Sequence, residues 1–198
     1  MSTRLILLCQ PATAALRAGR FPDDEAPDPE QQLAVSGLAA ALERPERTLC
    51  GPARCARRTA EWLQWPADDE AALREVDYGR WAGQSLKRIA ADEPSAIAAW
   101  LSDPEWNGHG GESLGAAAQR VGAWLEHHRP DARLTLAIAP ASVIKAAVLH
   151  VLRAPVAAYW QLDIAPLTQT ALSRHQGKWR LQACGAPAAR AAGRTETE

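Results

Sequence analysis

The side chains best placed for chemistry follow the first apolar run of the chain. Residues 4–8 read Arg-Leu-Ile-Leu-Leu, and Cys9, Gln10 and Pro11 come next, with Thr13 two residues further on. A continuous apolar run that is ended by a proline is typical of a central strand covered on both faces. Ligands of open α/β sheets bind just beyond the carboxyl ends of the strands. These residues therefore predict a functional crevice, and Thr13 is a candidate for binding a ligand there.

A second group of candidate residues follows the short apolar strand predicted at 47–50. The helix predicted at 53–64 begins at the same end of the sheet and carries Arg54 in its first turn. The N-terminus of a helix is a natural place for an anion when cationic side chains assist. Glu75 and His109 are the other candidates for binding a ligand, the first in an extended segment and the second in a glycine-rich loop.

Length and charge limit the classes of protein to which the chain can belong. A chain of 198 residues, 47% of them apolar, can bury one sizeable core as a single domain. Its formal net charge of −1 gives no general attraction for nucleic acid or for an anionic membrane surface. No apolar run approaches the roughly 18 to 20 residues that span a bilayer, and the pattern of a secretory leader is missing. We expect a cytoplasmic monomer or homodimer that binds neither nucleic acid nor membrane.

The cysteines and tryptophans are interpreted as packing residues. None of the four cysteines is paired in a C-x-x-C motif, which argues against a zinc ribbon or a thioredoxin-type site. Small buried hydrophobic residues are the simpler interpretation. The eight tryptophans are scattered, and we expect them in the core and at its rim. We expect no cofactor.

Predicted strands alternate with predicted helices, which indicates a three-layer α/β/α sandwich with a mostly parallel sheet. The acidic, proline-rich segment 14–30 is predicted as an exposed loop that arches over the mouth of the sheet. We expect one domain over residues 1–185, closed by a hairpin around 176–178, and a disordered tail at 186–198. The predicted helices are 33–42, 53–64, 84–91, 94–101, 112–128 and 142–151, and the predicted strands are 4–8, 47–50, 134–138, 167–173 and 179–181.

Several ordered motifs resemble those of the histidine phosphatase superfamily, which has the phosphoglycerate mutase-like fold. Family members open with a strand and Arg-His-Gly-x-Thr, where this chain has Cys-Gln-Pro-Ala-Thr at 9–13. Gly-Gly-Glu-Ser-Leu at 110–114 matches a helix start of the family residue for residue. Further similar segments lie at 51–60, 79–83, 139–145 and 166–168. The resemblance runs over residues 5–181 and is to the small bacterial branch of the superfamily.

The resemblance also implies which residues occupy the catalytic positions. In the family the first His is the nucleophile that takes the phosphoryl group, two Arg and a second His grip the phosphate oxygens, and a Glu donates the proton. The nucleophile falls on Gln10, the two Arg on Cys9 and Cys55, and the second His on Pro140. Glu75 alone matches the family pattern.

Substitutions of this kind remove both the reaction and the binding of its substrate. An amide nitrogen is not a usable nucleophile near neutral pH, and the loss of a covalent nucleophile typically costs on the order of 10⁶ in rate. Charge-assisted hydrogen bonds contribute about 1.5 to 3 kcal/mol each, so two missing guanidiniums remove about 6 kcal/mol or more of phosphate binding. We therefore expect a catalytically inactive member of the superfamily that binds a partner or a small, less anionic ligand.

Two other functions stay open at this stage. A phosphatase with relocated residues could use His109 as nucleophile or Cys9 as a reactive thiol, although we interpret His109 as an exposed loop residue. Cys9 and Cys55 replace two Arg that face one phosphate, so they could instead hold a soft metal ion or form a disulfide. Arg54 lies next to a lost Arg position, but a shift of one residue turns a helical side chain by about 100°, so we expect it to face solvent.

Overall fold

The centre of the fold is a six-stranded sheet. The computed structural model describes residues 3–128 and 132–188. The strands are β1 (Thr3–Cys9), β2 (Arg47–Cys50), β3 (Asp68–Asp69), β4 (Leu134–Ala139), β5 (Thr168–His175) and β6 (Lys178–Pro187). They lie in the order β3-β2-β4-β1-β5-β6. The pairs β1–β4, β2–β4 and β2–β3 are parallel, and the pairs β1–β5 and β5–β6 are antiparallel. The sheet predicted as mostly parallel is therefore a mixed sheet, in which β5 runs in the opposite direction to the other described strands.

Strand β1 lies in the interior of the sheet, as its apolar sequence predicts. It pairs with β4 on one side and with β5 on the other. Because side chains alternate along a strand, Leu5, Leu7 and Cys9 join one core cluster, and Ile6 and Leu8 join the other. A strand that contributes to two cores has to be apolar throughout, which explains why the run shows no polar alternation.

Helices cover both faces of the sheet, which confirms the predicted three-layer α/β/α sandwich. The helices are α1 (Ala14–Arg17), α2 (Gln32–Ala41), α3 (Arg54–Leu63), α4 (Leu86–Asp92), α5 (Pro94–Ser102), α6 (Leu114–His127) and α7 (Ala141–Leu152). Apolar residues of α6 and α7 belong to the first core cluster, and those of α2 and α3 belong to the second. The longest described helix, α6, has 14 residues, so no helix in the described part of the chain could cross a membrane.

The segment predicted as an exposed loop at 14–30 is more ordered than expected. It begins with α1, whose N-terminus is capped by Thr13, and it ends in a 3₁₀ turn at Pro29–Gln31. Phe21 is buried against Trp81, with 5.3 Å between their ring centroids, in a cluster that also contains Trp100. This aromatic anchor holds the loop in place, and it confirms that these tryptophans pack in the interior.

The chain closes with the predicted hairpin, which is longer than the sequence pattern indicates. Gln176 and Gly177 both have positive φ, 49° and 76°, the backbone that a tight two-residue hairpin turn requires. Strand β6 continues to Pro187, so the prediction of a disordered tail from residue 186 is wrong for 186 and 187, which pair with β5. Ala188 packs against the second core cluster, and residues 189–198 of the predicted tail lie outside the described residues.

Candidate functional site

The carboxyl ends of two neighbouring strands bring Gln10 and Pro140 together. Cys9, the last residue of β1, stands opposite Ala139, the last residue of β4. The Gln10 backbone N–H donates to the Ala139 carbonyl at 3.0 Å, so the strand pairing extends one residue beyond β1. The two positions that carry histidine in the superfamily therefore lie side by side, as the resemblance implies.

A cavity of about 780 Å³ opens at this end of the sheet. Its lining includes all five family-equivalent positions, namely Cys9, Gln10, Cys55, Glu75 and Pro140. Thr13 also lines the cavity, but its hydroxyl accepts the Leu16 backbone N–H at 3.3 Å and so serves as a helix cap. Neither Arg54 nor His109 belongs to the lining. The fold therefore brings the five family-equivalent positions into one cavity. Arg54 and His109, the candidates that could have replaced the missing family residues, lie outside it.

The two thiols in the cavity wall are buried and strongly biased toward the neutral form. Cys9 and Cys55 are each 2% exposed. Burial raises the pKa of both thiols to about 12, and Glu75 adds to the shift at Cys9. The Cys55 thiol contacts the Pro11 carbonyl, with 3.6 Å between Sγ and the oxygen. Because nucleophiles and soft-metal ligands are thiolates, these two side chains are poorly suited to either role.

A metal site at these cysteines also lacks further ligands. All four cysteines are free thiols in the structure. Among residues 3–128 and 132–188, no group of three or more His, Cys, Asp or Glu side chains has an arrangement that could hold a metal ion. A closed site for a soft metal normally needs about four such ligands. The geometry therefore gives the metal hypothesis no support.

Burial of the thiols predicts a simple labelling pattern. Cys184 is exposed, whereas Cys9, Cys50 and Cys55 are buried. Titration of the native protein with a thiol-specific disulfide reagent is expected to modify one cysteine rapidly, and titration in denaturant to modify four. The matched control is a Cys184→Ser variant, which is expected to show no rapid reaction. Rapid modification of Cys9 in that variant, located by mass spectrometry, would contradict the burial and revive the thiol-based enzyme.

Glu75 is held in place by one of its two carboxylate oxygens. Oε1 accepts the Val76 backbone N–H at 2.9 Å and a short hydrogen bond from the Ser142 hydroxyl. Oε2 has no hydrogen-bond partner among the described residues. Burial raises the pKa of the Glu75 carboxyl, because desolvation outweighs the two hydrogen bonds and the attraction of Arg120. The site therefore contains a fixed carboxylate with one oxygen unpaired.

The segment that carries Glu75 is clamped by a buried ion pair. Arg120 of α6 forms two hydrogen bonds with Glu112, Nε to Oε1 at 2.9 Å and Nη2 to Oε2 at 2.7 Å. The same guanidinium donates to the carbonyls of Ala72 at 2.6 Å and of Arg74 at 3.2 Å. Because both carbonyls lie just before Glu75, the pair fixes the backbone from which the carboxylate projects.

The Gly-Gly-Glu-Ser motif joins this segment to α6. A Cβ on Gly111 would lie 2.1 Å from the Asp77 carbonyl oxygen, so only glycine allows the two backbones to approach. The Glu112 backbone N–H donates to the same carbonyl at 2.7 Å. The Ser113 hydroxyl accepts the Ala116 backbone N–H at 3.0 Å and caps α6. The motif that matches the family best therefore has a structural task here.

Carboxylates of the chain itself lie at the N-termini of α3 and α7, which face the cavity. At α3, the Arg54 backbone N–H donates to Asp24 Oδ1 at 2.8 Å. At α7, the Ser142 hydroxyl in the first turn donates to Glu75. A helix N-terminus favours negative charge, so each carboxylate satisfies a position that an external anion could otherwise use. The Arg54 side chain is exposed and outside the cavity lining, as its offset predicts.

His109 is not the exposed loop residue that the sequence indicates. Its side chain is 1% exposed and lies among the rings of Trp81 and Trp106, with centroids 5.1 and 5.3 Å away. Nδ1 accepts the Gly111 backbone N–H at 3.0 Å, and burial lowers the pKa of the imidazole. The backbones of residues 77–79 and 109–111 approach each other closely, and this contact places the His109 ring in the interior. A contact between distant segments of this kind cannot be predicted from a glycine-rich loop sequence. His109 is therefore a packing residue outside the cavity.

Charged side chains around the cavity are mainly carboxylates. The lining includes the carboxylates Asp23, Asp24, Glu25, Glu75, Asp77 and Asp163, and the cations Arg74 and Lys145. Arg74 Nη2 is bound to Glu112 at 2.9 Å. Lys145 Nζ lies 4.8 Å from the centre of the Tyr159 ring, and burial lowers the pKa of its ammonium. An anion in this cavity would therefore meet more repulsion than attraction.

Sequence reasoning missed three residues of the site. Asp24 was part of an acidic loop, and its capping of α3 depends on a backbone φ of 52° that no sequence pattern specifies. Ser142 could have been found from its place in the first turn of the helix after Pro140, which faces the cavity. Lys145 lies one turn further along the same face of α7, and that spacing was the signal for it.

Comparison with known proteins shows similarity to one family over most of the chain. The family model described as the histidine phosphatase superfamily (branch 1) matches residues 29–187. A glucosyl-3-phosphoglycerate phosphatase of Mycobacterium tuberculosis is 31% identical over 139 residues, which are 60% of this chain and 62% of that protein. The same protein name from Mycolicibacterium vanbaalenii matches with 38% identity over 55 residues. The chain thus spans about 62% of the length of the first of these relatives.

Solved structures share the whole fold. A mycobacterial glucosyl-3-phosphoglycerate phosphatase has a TM-score of 0.80 and 26% identity, covering 94% of this chain and 100% of its own. A structure called mycobacterial hydrolase 1 has a TM-score of 0.82 at 25% identity, with the same coverage. The alpha-ribazole phosphatase from Shigella flexneri has a TM-score of 0.83, covers 96% of this chain and 99% of its own, and at 19% identity shows likeness of fold alone.

Proposed function

The chain belongs to the histidine phosphatase superfamily, and we propose that it is a member that does not transfer phosphoryl groups and whose cavity binds a small ligand less anionic than a phosphate ester. One observation supports this most. The cavity at the position of the family site is intact, but Cys9, Gln10, Cys55 and Pro140 place no nucleophilic nitrogen and no cation in it. The scaffold is retained and the reactive groups are not.

The cavity lacks the groups that the family reaction needs for attack on phosphorus and for stabilisation of the charge that then develops. The Gln10 amide has no nucleophilic lone pair near neutral pH, so the covalent intermediate has no attachment point. Charge stabilisation of a transferring phosphoryl group normally comes from arginine clamps. Here neutral thiols replace those arginines, and the carboxylates of Asp24 and Glu75 stand at the two helix N-termini. Neither attack on phosphorus nor stabilisation of the resulting charge is supported.

The second candidate is a phosphatase like the mycobacterial relatives, whose names favour it. It requires relocated residues. His109 is buried outside the cavity, and the Cys9 thiol has a pKa of about 12, so neither supplies a nucleophile. Thr13 lines the cavity with its hydroxyl engaged in capping α1. The arrangement therefore supports the non-catalytic function over this one.

A direct assay decides between the two candidates. The purified protein is expected to hydrolyse p-nitrophenyl phosphate and phosphoglycerates no faster than a Glu75→Gln variant, because no nucleophile is present for Glu75 to assist. Glu126→Gln is the matched control, since Glu126 pairs with His150 at 2.8 Å outside the cavity. Hydrolysis that persists in Glu126→Gln and is abolished in Glu75→Gln would overturn the proposed function.

A further inference from the structure

Most of the hydrogen-bond acceptors that line the cavity carry negative charge, and the buried amide Oε1 of Gln10, which has no partner among the described residues, is a neutral one. Glu75 presents Oε2 without a partner among the described residues, next to an Oε1 that is fully engaged. Asp163, Asp23 and Glu25 add carboxylates around it. Such a lining attracts a donor with positive charge and repels an anion.

The two cations of the lining do not cancel this preference. Arg74 is held by Glu112 in the clamp, with 2.9 Å between its Nη2 and Oε1 of Glu112. Lys145 projects its ammonium over the Tyr159 ring at 4.8 Å, which satisfies it by a cation–π contact. Both cationic heads therefore already have partners in the chain, whereas Glu75 Oε2 lacks one within the described residues.

The remainder of the cavity wall is apolar and has room for an organic molecule. Its volume of about 780 Å³ is within the range of small-molecule sites. Side chains that can contact an apolar body are Leu16, Pro22, Val76, Tyr78, Ile164 and Pro166. A ligand that matches both parts of the wall combines an apolar body with a cationic nitrogen.

Building on the proposed function, we propose that the cavity binds an organic amine, whose ammonium donates to Glu75 Oε2 and whose apolar body lies against the wall formed by Val76, Tyr78 and Ile164. The carboxylates of Asp23, Glu25 and Asp163 raise the local concentration of such a cation. Binding is non-covalent, and no bond of the ligand is broken.

Three probes that share one apolar body test the charge preference. They are 2-phenylethylamine, 2-phenylethanol and 2-phenylethyl phosphate, and their binding is measured by ligand-detected NMR and by thermal shift. The amine is expected to bind at least about tenfold more tightly than the alcohol, because its ammonium adds the attraction of opposite charges to the hydrogen bond with the carboxylate. The phosphate ester is expected to bind most weakly, since it meets the carboxylates without a compensating cation.

Two variants assign the preference to the proposed contact. Glu75→Gln is expected to remove the advantage of the amine over the alcohol, so that the two probes bind the variant with similar affinity. Glu126→Gln, outside the cavity, is expected to keep that advantage. Asp163→Asn is expected to weaken amine binding by a smaller factor of about two to three, and this effect should shrink at high salt because the residue is exposed.

The pH dependence gives a further check, because burial raises the pKa of Glu75. Protonation neutralises the carboxylate at low pH, whereas the amine stays cationic up to about pH 9. Amine binding should therefore strengthen as pH rises through the pKa of Glu75, and alcohol binding should not. In Glu75→Gln the amine curve should be flat, and an equally steep curve in that variant would overturn the proposal.

The outcomes separate the inference from the function on which it rests. An amine that binds no better than the alcohol, with no binding or hydrolysis of the phosphate ester, overturns the amine ligand and leaves the inactive member in place. Tightest binding of the phosphate ester, or its Glu75-dependent hydrolysis, overturns both. An amine preference that depends on Glu75 supports both.

Discussion

Returning the four lost family residues to the cavity is expected to create phosphatase activity. The variant combines Cys9→Arg, Gln10→His, Cys55→Arg and Pro140→His, all at positions that line one cavity with Glu75. Hydrolysis of p-nitrophenyl phosphate is expected to rise at least about a thousandfold over the wild-type protein, short of the roughly 10⁶ associated with a covalent nucleophile. The shortfall is expected because Asp24 still occupies the N-terminus of α3.

The matched control is the triple variant that keeps Gln10. It carries the same cations and therefore the same anion binding, but it lacks the nucleophile. We expect it to bind vanadate like the quadruple variant and to show no hydrolysis above the wild-type level. Because Cys9 and Cys55 are buried, both variants are checked by thermal unfolding before the assay. A folded quadruple variant that binds vanadate without hydrolysis would show that Gln10 does not occupy the nucleophile position.

Loss of Arg120 is expected to cost more stability than loss of any surface arginine. Arg120→Met removes two of the hydrogen bonds to Glu112 and leaves that carboxylate with the exposed Arg74 as its cationic partner, and the side chains of the Arg120–Glu112 pair are only 12% and 10% exposed. Breaking a buried pair by removing one partner typically lowers the free energy of unfolding by about 3 to 5 kcal/mol. The two carbonyls of the 72–74 segment lose their donor as well. Urea unfolding followed by tryptophan fluorescence measures the change.

Arg88→Met provides the comparison. Arg88 pairs with Asp92 across one helical turn, and its side chain is 74% exposed. Its removal is expected to change the free energy of unfolding by less than about 0.5 kcal/mol. Replacing both members of the buried pair, as Glu112→Gln with Arg120→Met, should recover part of the loss because the charge left without its partner, that of Arg74, is exposed to solvent. Equal effects of Arg120→Met and Arg88→Met would mean that the pair does not clamp the Glu75 segment.

The parts of the fold that could be predicted are the helices and strands whose own residues show a recognisable sequence pattern. A strand buried on both faces is apolar at most positions, and β1 and β4 are recognisable for that reason, although β4 contains the buried Thr135. The helix predicted from residue 112 begins two residues later, at Leu114, because the hydroxyl of Ser113 caps it by accepting a free backbone N–H. The two-residue strand β3 was missed, since so short a strand depends on the neighbouring β2 rather than on its own sequence.

The position of a site residue could be predicted where the residue directly follows a strand. It could not be predicted where the position depends on contacts between loops. Gln10 and Pro140 come together because parallel strands end at one edge of the sheet. The burial of His109 depends on the approach of two glycine-containing backbones that are about 30 residues apart in the sequence. The contact of Asp24 with α3 likewise joins distant segments. Such contacts arise from tertiary packing and leave no local periodicity in the sequence.

Asp24 also has a thermodynamic consequence for the cavity, because it acts as a ligand tethered to its own receptor. A short tether holds a group at an effective concentration of about millimolar or more. The loop that carries Asp24 is further fixed by the burial of Phe21. An external anion at the N-terminus of α3 has to displace this resident carboxylate, so its apparent dissociation constant equals the intrinsic one divided by the fraction of molecules in which Asp24 has left the helix end. Supplying the missing cations therefore restores only part of the affinity for phosphate, and full affinity also requires the removal of Asp24 from the N-terminus of α3.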